Sequence, residues 1–289
     1  MTDETAPRGA GWFENIDRED LDAAAAAISD GEADEPRNWP AVAVEAGYVD
    51  SEEQYYERLH EAAIRATEAE VRERERADDQ QLKHAIRAMN DAARTANELA
   101  ERVEEWAGSL FDDVGTGLAG ARVVAARDPA DPTEERVVSL AARVVALDDE
   151  RAALRAYVET HAPTVAPNLA EMAGAVLAAR LVALAGGLEQ LAKMPAGTVQ
   201  VLGAEDALFA HLRGHASSPK HGVIFTHEFV RGTRRADRGS AARAFAAKLA
   251  LAARADHYAG ERRESLHADL ASRMERIRAR ADATEGDDA

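Results

Sequence analysis

The 289-residue chain contains no cysteine. That excludes a disulfide framework, a thiol nucleophile and any Cys-based metal site. It is nearly as poor in lysine: of 35 basic residues only Lys83, Lys193, Lys220 and Lys248 are lysines, and the rest are arginines. No apolar run approaches the ~18 residues that a membrane helix needs. The start, Met1 to Arg8, is polar and acidic, unlike a secretory leader. These absences point to a soluble, intracellular chain, expected in the cytoplasm, with no membrane partner. Proline and glycine are also missing between Gly47 and Gly108, a long stretch with nothing to stop a helix.

What is present is charge. Charged residues make up 30% of the chain and the formal net charge is −18, beside a hydrophobic content of 46% that can supply a sizeable core. Abundant carboxylates with few lysines suit a protein in molar salt, where charge repulsion is screened within roughly 3 Å; an acidic protein from a GC-rich genome is the alternative. Taken whole, the acidity argues against nucleic-acid binding, which wants Lys and Arg against phosphate. The distribution argues otherwise. Residues 168–260 carry eleven basic against seven acidic residues, a net of +4 within an acidic chain.

Residues 1–50 form a small, weakly patterned region marked by Trp12-Phe13 and Trp39-Pro40 and by the acidic stretch Asp30 to Glu35. Ser51-Glu52-Glu53-Gln54 is a capping box and predicts a helix that runs on to Gly108. Within it Leu82, Ile86, Met89, Val103 and Leu110 fall on a heptad seam completed by alanines. A loop is predicted over 112–131. Asp131-Pro132-Thr133-Glu134 then starts a second helix with proline at its first position. Its seam is Val137, Leu140, Val144, Leu147 and Leu154, interrupted by Arg151 and His161. The pair reads as an antiparallel coiled-coil hairpin, ended by His161-Ala162-Pro163. A charged helix with a frayed acidic end, Glu285 to Ala289, follows Gly260. The fold class is all-α.

From Asn168 onward the chain resembles the Nop domain. The likeness rests on Asn168-Leu169, on Gly174 to Leu181 (GAVLAARL) and on Leu191 to Ala196 (LAKMPA). It continues through Val199 to Phe209 (VQVLGAEDALF), Pro219 to Phe225 (PKHGVIF), Arg238-Gly239, Ala241 to Ala244 and Ala246 to Ala250. Glu98 to Gly108, with Trp106, resembles the first hairpin helix of the same family, so the likeness covers most of residues 45–280. It implies an archaeal Nop-domain scaffold of a box C/D guide ribonucleoprotein directing RNA 2′-O-methylation, not itself an enzyme. The partners implied are a guide RNA, a ribosomal-protein-like kink-turn-binding protein, the methyltransferase fibrillarin and a second copy of the chain. S-adenosylmethionine belongs to fibrillarin, so no cofactor is expected here.

The implied layout places fibrillarin binding in residues 1–50 and dimerisation through the seam of the hairpin in 51–165. RNA and kink-turn-protein binding fall in 166–260, and 261–289 form the tail. The chain departs from the family in its short N-terminal region, in Asp206 and Ser240 where lysines are usual, and in its acidic tail.

The residues themselves support an RNA site. Gly203 to Arg213 reads as a helix whose apolar tip, Leu208-Phe209, could stack on a base while His211 and Arg213 meet phosphate. Pro219-Lys220-His221-Gly222 is a turn with two polar donors, and Gly222 would let backbone approach a ligand. Arg231, Arg234, Arg235 and Arg238 offer planar, bidentate phosphate binders in a loop. Ser240 is placed to cap the next helix, along which Arg243 and Lys248 follow, with Arg243 and Arg254 on one face. The bland readings are a core Leu-Phe pair, a plain turn and a solvated charge run.

Other motifs compete less well. Gly115-Thr116-Gly117-Leu118-Ala119-Gly120 matches the dinucleotide fingerprint but follows a helix instead of a strand. His221, His227 and Glu228 lack metal-ligand spacing, though a hydrolase built on them is a rival reading. A splicing-type Nop-domain RNA binder and a purely structural coiled coil are the others.

Overall fold

Helices begin where a polar side chain can take up the free first-turn amides. The computed structural model describes residues 11–31 and 36–286, with side chains to 279. In it Asp20 caps α1 (Leu21–Asp30), accepting from the Ala23 amide at 2.9 Å. α2 spans Trp39–Glu45 and α3 Glu52–Arg76. Ser51 Oγ accepts from the Gln54 amide at 3.2 Å, while Gln54 Oε1 reaches past Ser51 to accept from the Asp50 amide at 2.9 Å.

The helix expected to run unbroken to Gly108 stops at Ala77, which is extended (φ −57°, ψ 144°); α4 restarts at Asp78–Ala107. No glycine or proline causes the break. The cause lies in the tertiary structure: the buried Asp79 carboxylate accepts from the Leu188 amide at 2.8 Å, and this fixes where α4 begins. The chain divides into two compact units at the same point, Met1–Ala77 and Asp78–Ala289.

The first unit packs α1 and α2 on α3 around Phe13, Ala43, Tyr48, Val49 and Tyr55, with Trp12 and Trp39 at the edge. Trp12 Nε1 donates to the Tyr55 hydroxyl at 3.2 Å, and Arg65 ties α3 to Asp22 of α1 at 2.6 Å. Aromatic side chains thus build a core that hydrophobic spacing alone did not reveal. Most of the acidic stretch 30–35 lies outside the described residues.

In the second unit α4 pairs with α6 (Pro132–Val165), the predicted hairpin. Asp131 accepts from the Thr133 and Glu134 amides at 2.7 and 2.9 Å. The predicted loop between them holds a helix, α5 (Gly117–Ala125), whose Ala121 and Val124 bury against Val103, Ala107, Val137 and Val144. Pro163 does not end α6; it sits two residues before the end. The stop comes at Ala166, whose backbone leaves the helical region (φ −144°, ψ 73°) before Pro167.

The globular end comprises α7 (Pro167–Ala173), α8 (Ala175–Ala185), α9 (Leu188–Lys193), α10 (Ala196–Val201) and α11 (Glu205–Leu212). A 3₁₀ turn (Val223–Thr226), α12 (Glu228–Arg231), α13 (Arg238–Tyr258) and α14 (Glu264–Gly286) complete it. Residues 287–289 of the expected acidic end lie outside the described residues. Phe245, Leu181, Leu191, Ile224 and Leu249 form its core, joined by Leu82, Ile86 and Met89 of α4 and by Val158 and Ala162 of α6. Asp256 clamps α13 to α7: it accepts from the Asn168 amide and Nδ2 at 2.9 and 2.6 Å and from the Leu169 amide at 2.9 Å.

Most of the seam therefore closes the hairpin within the chain itself. Leu82, Ile86, Met89, Val103, Val137 and Val144 are buried within the chain, and Leu140 and Leu154 pack at the margins of the two cores. A side chain with no exposed area has none to bury against a second copy. Leu147 is half-buried and Leu110 is exposed. No strand occurs among the described residues, as the all-α reading requires. Among them no single helix is long and apolar enough to cross a membrane.

Candidate nucleic-acid interface

α11 projects from the globular end. None of its residues is buried; Phe209 is 56% and Leu212 71% exposed, with Leu208 half-buried. The Leu-Phe pair is therefore an exposed tip and not core. Leu212 belongs to it, a residue the sequence did not single out; its place four residues after Leu208 on the same helix is the signal that marks it. His211 Nδ1 lies 2.9 Å from the Ala216 carbonyl. Arg213, the C-cap, makes no ion pair among the described residues.

The 219–222 turn is strapped to the end of α10. The Gly222 amide donates to the Gln200 carbonyl at 2.9 Å, Gln200 Nε2 to the Lys220 carbonyl at 2.7 Å, and the Val223 amide to the Leu202 carbonyl at 2.8 Å. A Cβ on Gly222 would stand 2.0 Å from the Leu202 oxygen. Glycine is thus required here by the chain's own backbone. His221 stacks on Phe225 at 4.5 Å, and the Arg238 guanidinium lies 5.4 Å from the same ring. Arg238 also donates to the Thr233 and Arg231 carbonyls at 3.0 and 3.2 Å, holding the arginine loop to α13. The Lys220 stem runs beside Gly239. Lys220, His221, Arg238 and the 231–235 loop therefore form one patch. Burial lowers the His221 pKa, and the Arg238 and Lys220 charges add to that.

Within the loop, Arg234 pairs with Asp237 at 3.0 Å and Arg231 with Glu228 at 3.7 Å, while Arg235 makes no ion pair among the described residues. α13 begins at Arg238 after Asp237, so Ser240 lies in its first turn and does not cap it. Lys248 pairs with Asp269 at 2.8 Å, and Arg243 faces a groove between α13 and α14. Arg254, though exposed, is engaged within the chain, donating to the Ala192 and Met194 carbonyls at the end of α9.

The competing motifs resolve structurally. His227 Nδ1 accepts from the Phe229 amide at 3.1 Å and its ring packs 4.6 Å from Phe245; burial lowers its pKa. It caps α12, and no cluster of three or more metal-ligating side chains occurs among the described residues. In the glycine motif, Gly115 and Gly117 take positive φ, and a Cβ on Gly120 would meet the Gly115 oxygen at 2.3 Å. Glu104 already accepts from the Gly117 amide at 3.0 Å, placing a carboxylate where a phosphate would have to bind.

The family model described as Nop, snoRNA binding domain, fibrillarin, matches residues 49–278, which take in the hairpin and the whole of this surface. The chain belongs to the Nop family. An uncharacterized NOP5 family protein of Methanocaldococcus jannaschii is 34% identical over 274 residues, covering 82% of this chain and 66% of its own. Nucleolar protein 58 of Schizosaccharomyces pombe is 34% identical over 215 residues, 62% of this chain and 42% of its own. Nucleolar protein 56 of Saccharomyces cerevisiae is 37% identical over 164 residues, 56% and 32%. The chain thus spans from about a third to two thirds of the length of these Nop relatives. A chain in the crystal structure of a fibrillarin/Nop5p complex superposes with a TM-score of 0.53 at 27% identity, covering 94% of this chain and 100% of that one.

Proposed function

We propose that this Nop-family chain is a non-catalytic scaffold of a box C/D guide ribonucleoprotein that directs RNA 2′-O-methylation. It binds guide RNA together with a small kink-turn-binding protein and carries fibrillarin to them, in the cytoplasm. The observation that carries this reading is the surface just described: a tip of exposed Phe209 and Leu212 beside half-buried Leu208, and a patch of Lys220, His221 and arginines, on a chain whose net charge is −18. Stacking apolar groups beside bidentate cations suit unpaired bases and a bent phosphate backbone. The fibrillarin named with the Nop5p structure supports the methyltransferase partner, and the aromatic-cored N-terminal unit is the part proposed to receive it. A second copy would pair through apolar residues of the hairpin that stay exposed: Leu110 at the end of the seam, with Trp106 and Val123 beside it.

The test is a gel-shift titration in molar KCl with a box C/D kink-turn RNA, with and without the kink-turn protein. A supershift that needs that protein and is lost on a mutated kink-turn is expected. Replacing Arg234 and Arg235 by Glu should weaken it at least tenfold, and each phosphate-binding cation removed should lower the salt slope by about one unit. No shift by folded protein in either condition would overturn the reading.

A further inference from the structure

The groove between α13 and α14 takes Arg243 and Lys248 from the RNA-facing candidates above, but its second wall is new, and the register of α14 builds it. Leu270, Met274 and Ile277 fall at helical spacing and are buried in the core of the globular end. The residues one position earlier, Asp269, Arg273 and Arg276, are therefore rotated about 100° from that face and line the groove beside it. Across the groove, Ser240, Arg243, Ala247, Lys248 and Leu251 form one stripe of α13, about three turns or ~16 Å long. The groove has a volume of about 590 Å³. Four cations face one carboxylate in it. Lys248 and Asp269 pair at 2.8 Å and brace the two helices, while Arg243, Arg273 and Arg276 make no ion pair among the described residues. Ser240 and Ser272 add hydroxyl donors without charge.

Unpaired arginines are costly to gather in a chain with 53 acidic residues available to neutralise them. In the hairpin most arginines have such an acid paired with them; in this groove the one carboxylate, Asp269, is taken by Lys248. An elongated groove with cations on both walls fits a run of phosphodiesters better than a single compact anion, and arginine binds each phosphate with a planar fork. Exposed Leu251, at the far end, offers an apolar surface for a base.

We infer that the α13/α14 groove is a second RNA-backbone site, in which Arg243 of α13 and Arg273 and Arg276 of α14 hold consecutive phosphates of an RNA strand leaving the primary patch. This rests on the RNA-binding reading above and extends it to α14, which the sequence layout had treated as a tail.

The test measures affinity for kink-turn RNA bearing a single-stranded extension, with the kink-turn protein present, from low to molar KCl. The comparison is wild type against the Arg273→Gln/Arg276→Gln double variant. These side chains are exposed and the buried face is untouched, and circular dichroism with thermal melting checks that the variant folds. The expected result is retained binding of the kink-turn with a weaker affinity on the extended RNA. The slope of log K against log salt should fall by about 1.4, near 0.7 for each cation taken away from a single-strand phosphate. On RNA trimmed to the kink-turn the two proteins should bind alike. An unchanged slope on extended RNA overturns the site. So does a loss that appears equally on trimmed RNA and vanishes without the kink-turn protein, because the groove would then hold an acidic face of that protein. Failure of the wild type to bind any kink-turn RNA would instead overturn the function proposed above.

Discussion

Two aspartates with little exposed surface, one in the hairpin and one deeper in the globular end, are satisfied in opposite ways. Asp148, in the hairpin, is 8% exposed and takes two arginines: Arg122 at 2.7 Å and Arg151 at 2.8 Å. Asp256, in the globular end, is 6% exposed and takes only neutral N–H donors, from the backbone of Asn168 and Leu169 and the side chain of Asn168. Their pKa values move apart accordingly. The Arg122 hydrogen bond, then that of Arg151, pulls Asp148 below the usual carboxylate range, whereas burial pushes Asp256 above it against the pull of its donors.

The contrast extends to the arginines. In the hairpin Arg94, Arg102, Arg122, Arg136, Arg151 and Arg155 each have a carboxylate within 3.0 Å, with Arg87, Arg127 and Arg143 as exceptions. In the globular end the buried acid is spent on backbone, and Arg213, Arg235, Arg243, Arg273 and Arg276 are left without an ion pair among the described residues. Arginine is plentiful in both; only where carboxylates are withheld can it serve a ligand.

The strongest way to break the comparison is Asp256→Ala. It leaves buried N–H groups of Asn168 and Leu169 without an acceptor and should cost roughly 3 kcal/mol or more. Urea unfolding followed by circular dichroism measures it, and a loss under about 1 kcal/mol would mean that the clamp is dispensable.

Phe209→Ala should leave stability within about 0.5 kcal/mol, since the ring is exposed. It should weaken RNA binding by about 1–3 kcal/mol if the ring stacks on a base. Paired melting and gel-shift titrations separate the two, and the reverse pattern would return Phe209 to a packing role.

The smallest effect concerns pH. Because the folded pKa of Asp148 lies below its unfolded value of about 3.9, its contribution to stability is full above that value and is lost as pH falls through the folded pKa. Asp148→Asn should be slightly less stable at pH 7 and should lose less on acidification from pH 5 to pH 2. Parallel acid titration curves for the two proteins would show that the pair contributes nothing.

Much of the local structure was legible. Ser51 and Asp131 cap their helices, and the alternating steps of three and four did mark the hairpin. The basic segment and the Leu208-Phe209 tip lie on the surface, and their residue order identified the family. The failures share a cause. The break at Ala77, the helix inside the 112–131 loop and the docking of Arg254 on the end of α9 all depend on partners distant in the chain, such as Asp79 with Leu188. Gly222 was legible as a required glycine, but not as one required by Leu202.

The sequence by itself determined helix starts, the period of each apolar face, the local sign of charge and the family, because these depend on neighbours within a few turns or on residue order. Only the tertiary structure decided where each face is spent. It buried most of the seam within one chain and satisfied Asp256 with amides instead of arginines. It also left Arg243, Arg273 and Arg276 facing one groove, because burial and ion pairing are settled between residues far apart in the chain.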